Sequence, residues 1–369
     1  MARLVRSGRT LVARGTGFHR HGFWAVPLLA VTLLLLPSFV LSGPARAAGP
    51  PSFTKTGCGY LKLTTPICHV FILYLENQNL WFVLKHGPFE KYLAGKYAFA
   101  DQYYSLQHFS YPNYAAVTSG EQLKSYHLVD RPNVIDLIRN KTPTPSWASY
   151  SEDMPFPCDA NSSGGYKAAH NPLVFYTTVR YPATRCDAHD LNFTSWNSSV
   201  SSGVLPNYAF IGPNATHSCW KKGFGVSICD AWLKSWLSPL VNDSFFNSSV
   251  FFITYDEGQF GSTLGANGSL GGGHVYFTAV SPYACPGYVS YYNYTAFNLL
   301  TTTEWLLGLG QLGQNDSWVT HPPMTGLFCF PSNWTVGGGG GLVHGLHRTA
   351  GPDAPLSPIA TRRPEARDV

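Results

Sequence analysis

Two apolar runs each end in an acid-containing pair: "ICHVFILYL" (67–75) leads into Glu76-Asn77, and "SVFFITY" (249–255) leads into Asp256-Glu257. Carboxylate and amide oxygens suit a hard divalent cation, and clustered carboxylates need one to offset their repulsion. Either pair alone is equally an ordinary strand end, or an acidic helix start favoured by the dipole. Two matched pairs point to a site for a divalent metal ion, whose identity the residues leave open. Between the pairs, "HFSYPNYAAVTSG" (108–120) offers Ser110. With Pro112 and Gly120 it reads as the cap of a short helix, or as a nucleophile. The two readings are compatible. A serine hydroxyl needs a cation to favour its alkoxide, and the free amides of a helix N-terminus serve a cap or a phosphate alike. His170 in "YKAAHNP", His217 after "NYAFIGPNAT" and His274 in "GGGHVYFTAVSP" are placed for metal or phosphate contact.

These residues need a frame that brings them together. The runs 67–75, 207–212, 249–255 and 275–281 read as buried strands, and "DAWLKSWLSPL" and "AFNLLTTTEWLLGLG" as helices. Continuous apolar strands alternating with helices predict an α/β fold, with a mostly parallel sheet covered on both faces. Ligands then gather beyond the carboxyl ends of the strands. His274 precedes its strand, so it reaches that edge only through an antiparallel strand or a folded-back loop.

The first 48 residues read as a secretory signal peptide. Arginines lead into an apolar run from Trp24 to Leu41, and Ala45-Arg46-Ala47 follows as a small-x-small cleavage pattern. An uncleaved anchor is the alternative, since the run is just long enough to span a bilayer. Residues 49–57 read as a linker, 58–336 as the catalytic domain and 337–369 as a disordered Gly/Pro/Arg-rich tail. The chain has 25 Lys+Arg and 20 Asp+Glu; without the six arginines of the leader, 19 basic residues face 20 acidic ones. A nucleic-acid-binding face is therefore not expected. Eight cysteines form an even set, which behind a leader predicts disulfides in a secreted protein. Neighbour pairing (58–68, 158–186, 219–229, 285–329) is the simplest arrangement. Eleven N-x-[ST] sequons agree with export.

The ordered fragments "YLENQNL", "HFSYPNY", "SEDMPFPC", "HNPLVFY", "TYDEG" and "GGHVYFTAVSP", with a closing "FNLLTTTEWLLGLGQLGQNDSWVTHPPMTGLF", resemble the phosphoesterase family. That family includes bacterial and fungal acid phosphatases and phospholipases C, and the resemblance covers roughly residues 67 to 330. It implies an alkaline-phosphatase-like three-layer α/β sandwich. It also implies Glu76, Asn77, Asp256 and Glu257 as metal ligands, and Ser110 as a nucleophile that touches the metal. Asn113, His170 and His217 would hold phosphate or protonate the leaving group, and His274 would be a further ligand or phosphate contact. This sequence departs from the family in three places. "NATHSC" lacks the aspartate of an Asp-x-His element, a long Gly-rich segment follows Asp256-Glu257, and Ala296 stands where a histidine is usual. These losses point to a reduced metal site. The expected activity is hydrolysis of phosphate monoesters through a phosphoserine. The alternatives are a phospholipase C-type diesterase, with an apolar approach near Trp81, Phe82, Tyr103 and Tyr104, and an inactive glycosylated surface protein.

Overall fold

The computed structural model describes residues 59–220 and 225–331. The expected leader, linker, Cys58 and Gly-rich tail lie outside the described residues.

Eight strands form one sheet: β1 His69–Leu75, β2 Ala98–Ala100, β3 Trp147–Ser151, β4 Asp190–Asn192, β5 Tyr208–Gly212, β6 Ser249–Tyr255, β7 Phe277–Val280 and β8 Val289–Ser290. The order is β4-β3-β5-β1-β6-β7-β2-β8. All neighbours run parallel except β6–β7 and β7–β2. The mostly parallel sheet expected from the sequence is thus present, with β7 as its antiparallel member.

The helices are α1 Leu80–His86, α2 Pro88–Lys96, α3 Ser110–Ser119, α4 Val134–Asn140, α5 Thr177–Arg180, α6 Ala183–His189, α7 Phe193–Ser202, α8 Val226–Leu240 and α9 Ala296–Leu306. Strands β1, β3, β5 and β6 are buried along their whole length, so both faces of the sheet are covered. Side chains alternate along a strand. Phe71 of β1 meets Trp196 of α7 edge-on, while Tyr74, of opposite parity, packs on Tyr114 of α3. Trp236 of α8 lies against Phe251, which pairs with Phe71 and shares its face. Helices α7 and α8 therefore form one outer layer and α3 the other, with α9 packed against α3.

Disulfides Cys158–Cys186, Cys219–Cys229 and Cys285–Cys329 follow the neighbour pairing. Cys68 is disulfide-bonded too. No helix among the described residues is long and apolar enough to cross a membrane.

Candidate active site

Strands β1 and β6 run in register, Leu75 opposite Tyr255, and the Asp256 N–H donates to the Leu75 carbonyl at 2.9 Å. Glu76 and Asp256 are the next residues on each strand, and the sheet delivers them side by side at its carboxyl edge. Asn77 turns with φ +51°, a left-handed conformation that asparagine tolerates better than most residues. That turn aims its N–H at Asp256 Oδ1 (3.1 Å) and its Nδ2 at Glu257 Oε1 (2.7 Å). The two strand-end pairs are one cluster.

Ser110 joins it from α3. Its Oγ donates to Glu76 Oε2 at 3.3 Å and reaches Glu257 Oε1 at 3.5 Å. The cap reading is corrected here: Phe109 holds the cap position without a side-chain cap bond, and Ser110 is the first residue of the helix. Gly120 closes α3 in the left-handed conformation, as expected. Phe109 has φ +75°, a costly conformation for a bulky side chain.

Burial governs the charges. Glu76, at 0% exposure, is pushed up to about 8 by desolvation, with the Glu257 charge adding to the effect. Asp256 is driven well above the usual carboxylate range by burial and by the Glu76 and Glu257 charges, and burial also raises Glu257. Tyr114 of α3 donates its hydroxyl to Glu76 Oε1. His170 places Nε2 3.2 Å from the same oxygen, while its Nδ1 is 3.1 Å from the Pro213 carbonyl. A carbonyl only accepts, so Nδ1 carries the proton. Burial lowers His170 to about 4. The imidazole is then neutral, and the proton between it and Glu76 resides on the carboxyl.

The structure does not bring every expected residue to this point. Asn113 is buried with its amide committed to the preceding loop. It accepts from Ser105 Oγ (3.0 Å) and the Leu106 N–H (2.9 Å), and donates to the Gln107 and Phe109 carbonyls (2.8 and 3.3 Å). It shapes the loop that presents Ser110 instead of facing the acids. His274 does reach this edge through antiparallel β7, but its Nε2 meets the Asp101 carbonyl and its ring stacks on Tyr104 at 4.7 Å. No hydrogen bond joins it to an acid of the cluster among the described residues. His217 pairs with Glu152, its Nδ1 2.8 Å from both carboxylate oxygens, two strands from β1. Tyr103 and Tyr104 are buried, so they form no apolar approach.

Sequence reading missed three partners. His108 heads the stretch that holds Ser110, and its Nδ1 lies 2.8 Å from Glu257 Oε2. Glu152 follows β3, whose "WASYS" lacks an apolar run; recognised as a strand, it would have shown a third strand-end acid. Tyr114 lies one turn beyond Ser110, on the same face of α3, a spacing that was legible.

Two atoms of the cluster, Asp256 Oδ2 and Asn77 Oδ1, are buried without a hydrogen-bond partner. Hard oxygens, two of them orphaned, fit a divalent cation. Among the described residues, three His, Cys, Asp or Glu ligand atoms come within 4.8 Å of one another only at Cys158, Cys186 and Asp190. The two sulfurs there form a disulfide and are not thiolate ligands. The Glu76–Asp256–Glu257 cluster is more open, and it draws further oxygens from Asn77 and Ser110. A cavity of about 360 Å³ lies at the ends of β3 and β4, lined by Glu152, Asp153, Met154, Asn192, Phe193, Thr194 and Asn197. It excludes Ser110 and the acid cluster, so the chemistry is assigned from the cluster and not from the concavity.

The sequence model of the phosphoesterase family matches residues 74–310. An acid phosphatase of Aspergillus fumigatus is 30% identical over 186 residues, covering 45% of this chain and 40% of that protein. A probable acid phosphatase of Kluyveromyces lactis is 30% identical over 204 residues, covering 51% and 47%. The chain thus spans less than half the length of these relatives. A phosphatidylinositol-3-phosphatase of Mycobacterium tuberculosis is 26% identical over 323 residues, covering 82% of this chain and 96% of that protein. A solved protein of the alkaline phosphatase superfamily from Vibrio parahaemolyticus is 13% identical, with a TM-score of 0.49, covering 74% of this chain and 72% of that one.

Proposed function

The chain belongs to the phosphoesterase family, and from that premise we propose that it hydrolyses phosphate monoesters in the manner of an acid phosphatase, with Ser110 as nucleophile. The observation that carries this reading is the Ser110 hydroxyl. It stands at the N-terminus of α3 and bonds to buried acids, with no backbone group of its own helix to cap. Glu76, Asn77, Asp256, Glu257 and Ser110 Oγ would hold the divalent cation. When bound, the cation supplies positive charge that favours the serine alkoxide and offsets charge on the phosphoryl oxygens.

The chain's own groups do the rest. Ser110 Oγ attacks phosphorus and the bond to the alcohol breaks, leaving a phosphoserine. The first turn of α3 offers its unpaired N–H groups and positive dipole end to the phosphoryl oxygens. Tyr114 and neutral His170 hold Glu76 in place from behind. His217 protonates the departing alcohol and then takes a proton from the water that cleaves the phosphoserine. Among His108, His170, His217 and His274, only His217 keeps one ring nitrogen without a hydrogen bond and neither ring nitrogen on a backbone carbonyl. The disulfides fit an oxidising compartment, and we propose export through the N-terminal leader.

The test is hydrolysis of 4-nitrophenyl phosphate from acidic to neutral pH, with chelator or added divalent cations. Ser110→Ala should remove at least about a thousandfold of turnover, and chelation should abolish it. A folded Ser110→Ala variant that keeps a tenth of the activity overturns the serine mechanism. No turnover with any cation, on monoester or diester, leaves a binding protein.

A second reading is favoured by one feature. Phe109, Phe260 and Leu270 are 78%, 95% and 87% exposed, and Leu264 bridges to Leu270 in the segment after Asp256-Glu257. Phe109 adjoins Ser110, and Phe260 lies 6.1 Å from His108. This apolar rim suits a phosphoester borne by a lipid, and the mycobacterial phosphatidylinositol-3-phosphatase relative agrees with that.

A further inference from the structure

We propose that Glu152 is the positioning residue that holds His217 as proton donor to the leaving group, an inference that rests on the serine mechanism proposed above. Glu152 leaves β3 with its N–H on the Gly212 carbonyl at 2.9 Å, which fixes it to the end of β5. Both of its oxygens lie 2.8 Å from His217 Nδ1, and Oε2 also accepts the Asn214 N–H at 3.0 Å. The His217 ring lies nearly flat on Trp232 of α8, with centroids 5.2 Å apart and planes 13° apart. Its backbone is pinned as well, since the Thr216 and His217 N–H groups both donate to Asn214 Oδ1 at 2.9 Å. The ring is held on one face, at Nδ1 and through its backbone. Nε2 makes no hydrogen bond among the described residues.

A carboxylate accepts only, so Nδ1 carries a proton whenever the pair is formed. That leaves Nε2 as the exchanging position, and the carboxylate fixes the tautomer and the orientation of the ring, as carboxylate partners of catalytic histidines do. Protonated Nε2 gives its proton to the alcohol oxygen as the P–O bond breaks, and the neutral ring later takes one from the attacking water. The segment that carries His217 adjoins the acids through its backbone: the carbonyl of the next residue, Ser218, accepts the Glu76 N–H at 2.7 Å. The chain lacks the aspartate of the family's Asp-x-His element, and Glu152 supplies a carboxylate from a different strand.

The experiment compares kcat/KM of wild type, Glu152→Gln and His217→Asn on monoesters from 4-nitrophenyl phosphate, whose leaving group needs no proton, to glycerol 2-phosphate, whose leaving group does. Glu152→Gln should lower the alkyl ester about a hundredfold and the nitrophenyl ester less than about threefold, and Glu152→Asp should restore part of the alkyl rate. Equal losses on both esters would make Glu152 a structural clamp and overturn the inference. So would a leaving-group effect in His217→Asn that is missing from Glu152→Gln. Should Glu152→Gln not fold, Glu152→Asp is read by the same ratio. Failure of the underlying reading looks different: His217→Asn then shows no leaving-group dependence, or Ser110→Ala keeps its activity.

Discussion

Removing the cation should make the protein sensitive to alkaline pH, by an amount that follows from the buried acids. In the cation-free fold Glu76 binds its proton up to about pH 8, against an ordinary 4.5. Between these values the folded state holds a proton that the unfolded state has lost, so stability falls as pH rises. His170 works the other way, because burial lowers it from 6.5 to about 4. Between those values the unfolded state binds the extra proton and stability rises with pH. The two slopes cancel between about pH 4.5 and 6.5. From 6.5 to 8 Glu76 acts alone of the pair, over 1.5 pH units or about 2 kcal/mol. Asp190 and Glu304, raised to about 7 and about 9, also lose stability on this side. Neither bonds to the cluster, so they contribute equally with and without cation. The measurement is the gap in Tm between saturating cation and chelator, taken at pH 6.5 and pH 8. It should widen by about 4–8 °C, at 2–4 °C per kcal/mol for a domain of this size. In Glu76→Gln the widening should shrink, and what remains belongs to Asp256 and Glu257, which burial also raises. A gap that stays constant, or narrows with pH, would refute the placement of that proton on Glu76 and of the cation beside it.

Tyr114→Phe removes a hydroxyl donor from a fully buried carboxyl and should cost about 1–3 kcal/mol in denaturant melts; a loss below 0.5 kcal/mol would mean that another donor replaces it. Phe260→Ser combined with Leu270→Ser should leave 4-nitrophenyl phosphate turnover within about twofold, because these side chains are solvent-exposed. On phospholipid vesicles the same variant should lose activity, and equal rates on both substrates would dismiss the lipid reading. Phe109→Gly relieves a positive φ and gives up little packing, so it should stabilise the fold by about 1 kcal/mol. Turnover should fall, since Ser110 is then less tightly presented; a variant both more stable and fully active would show that the strain has no functional use.

The central sheet was legible because its inner strands are continuous apolar runs. The run 249–255 matches β6 residue for residue, and 67–75 and 207–212 overshoot β1 and β5 by two residues and one. Strands β2, β4 and β8 are two or three residues long, and β3 is "WASYS"; none carries a signal that a period of two can expose. The acids were legible as strand ends, since only the register of β1 and β6 was needed to bring them together. The histidines were not. Spacing placed His170, His217 and His274 near strand termini, but the direction of each ring depends on carbonyls and carboxylates contributed by distant segments. Pro213 sits 43 residues from His170, Glu152 lies 65 from His217, and the Asp101 carbonyl is 173 from His274. The glycan reading of one sequon also fails on packing. Asn214 is buried, and its side chain is spent on Asp153, Thr216 and His217.

Whether Ser110 serves the helix or the site turns on one residue of offset. As the cap, its oxygen would be occupied by the N–H groups of the following turn, and the backbone would enter α3 in the extended region that caps prefer. One position later, at the head of the helix, its Oγ is released from those amides, and among the described residues the Ser110 and Tyr111 N–H groups donate no hydrogen bond, while Pro112 has none to give. The chain reaches that arrangement by twisting the preceding residue to φ +75° and by fixing the loop with all the polar atoms of the Asn113 side chain. An ordinary helix start needs neither. A hydroxyl freed from capping, aimed at acids that burial makes costly to ionise and set beside the free N–H groups of a helix start, is an arrangement that lowers stability unless a cation and an anion arrive together. A phosphate ester with its divalent metal is such a pair. On the proposed mechanism, the features that weaken the fold on its own are the ones the reaction would use.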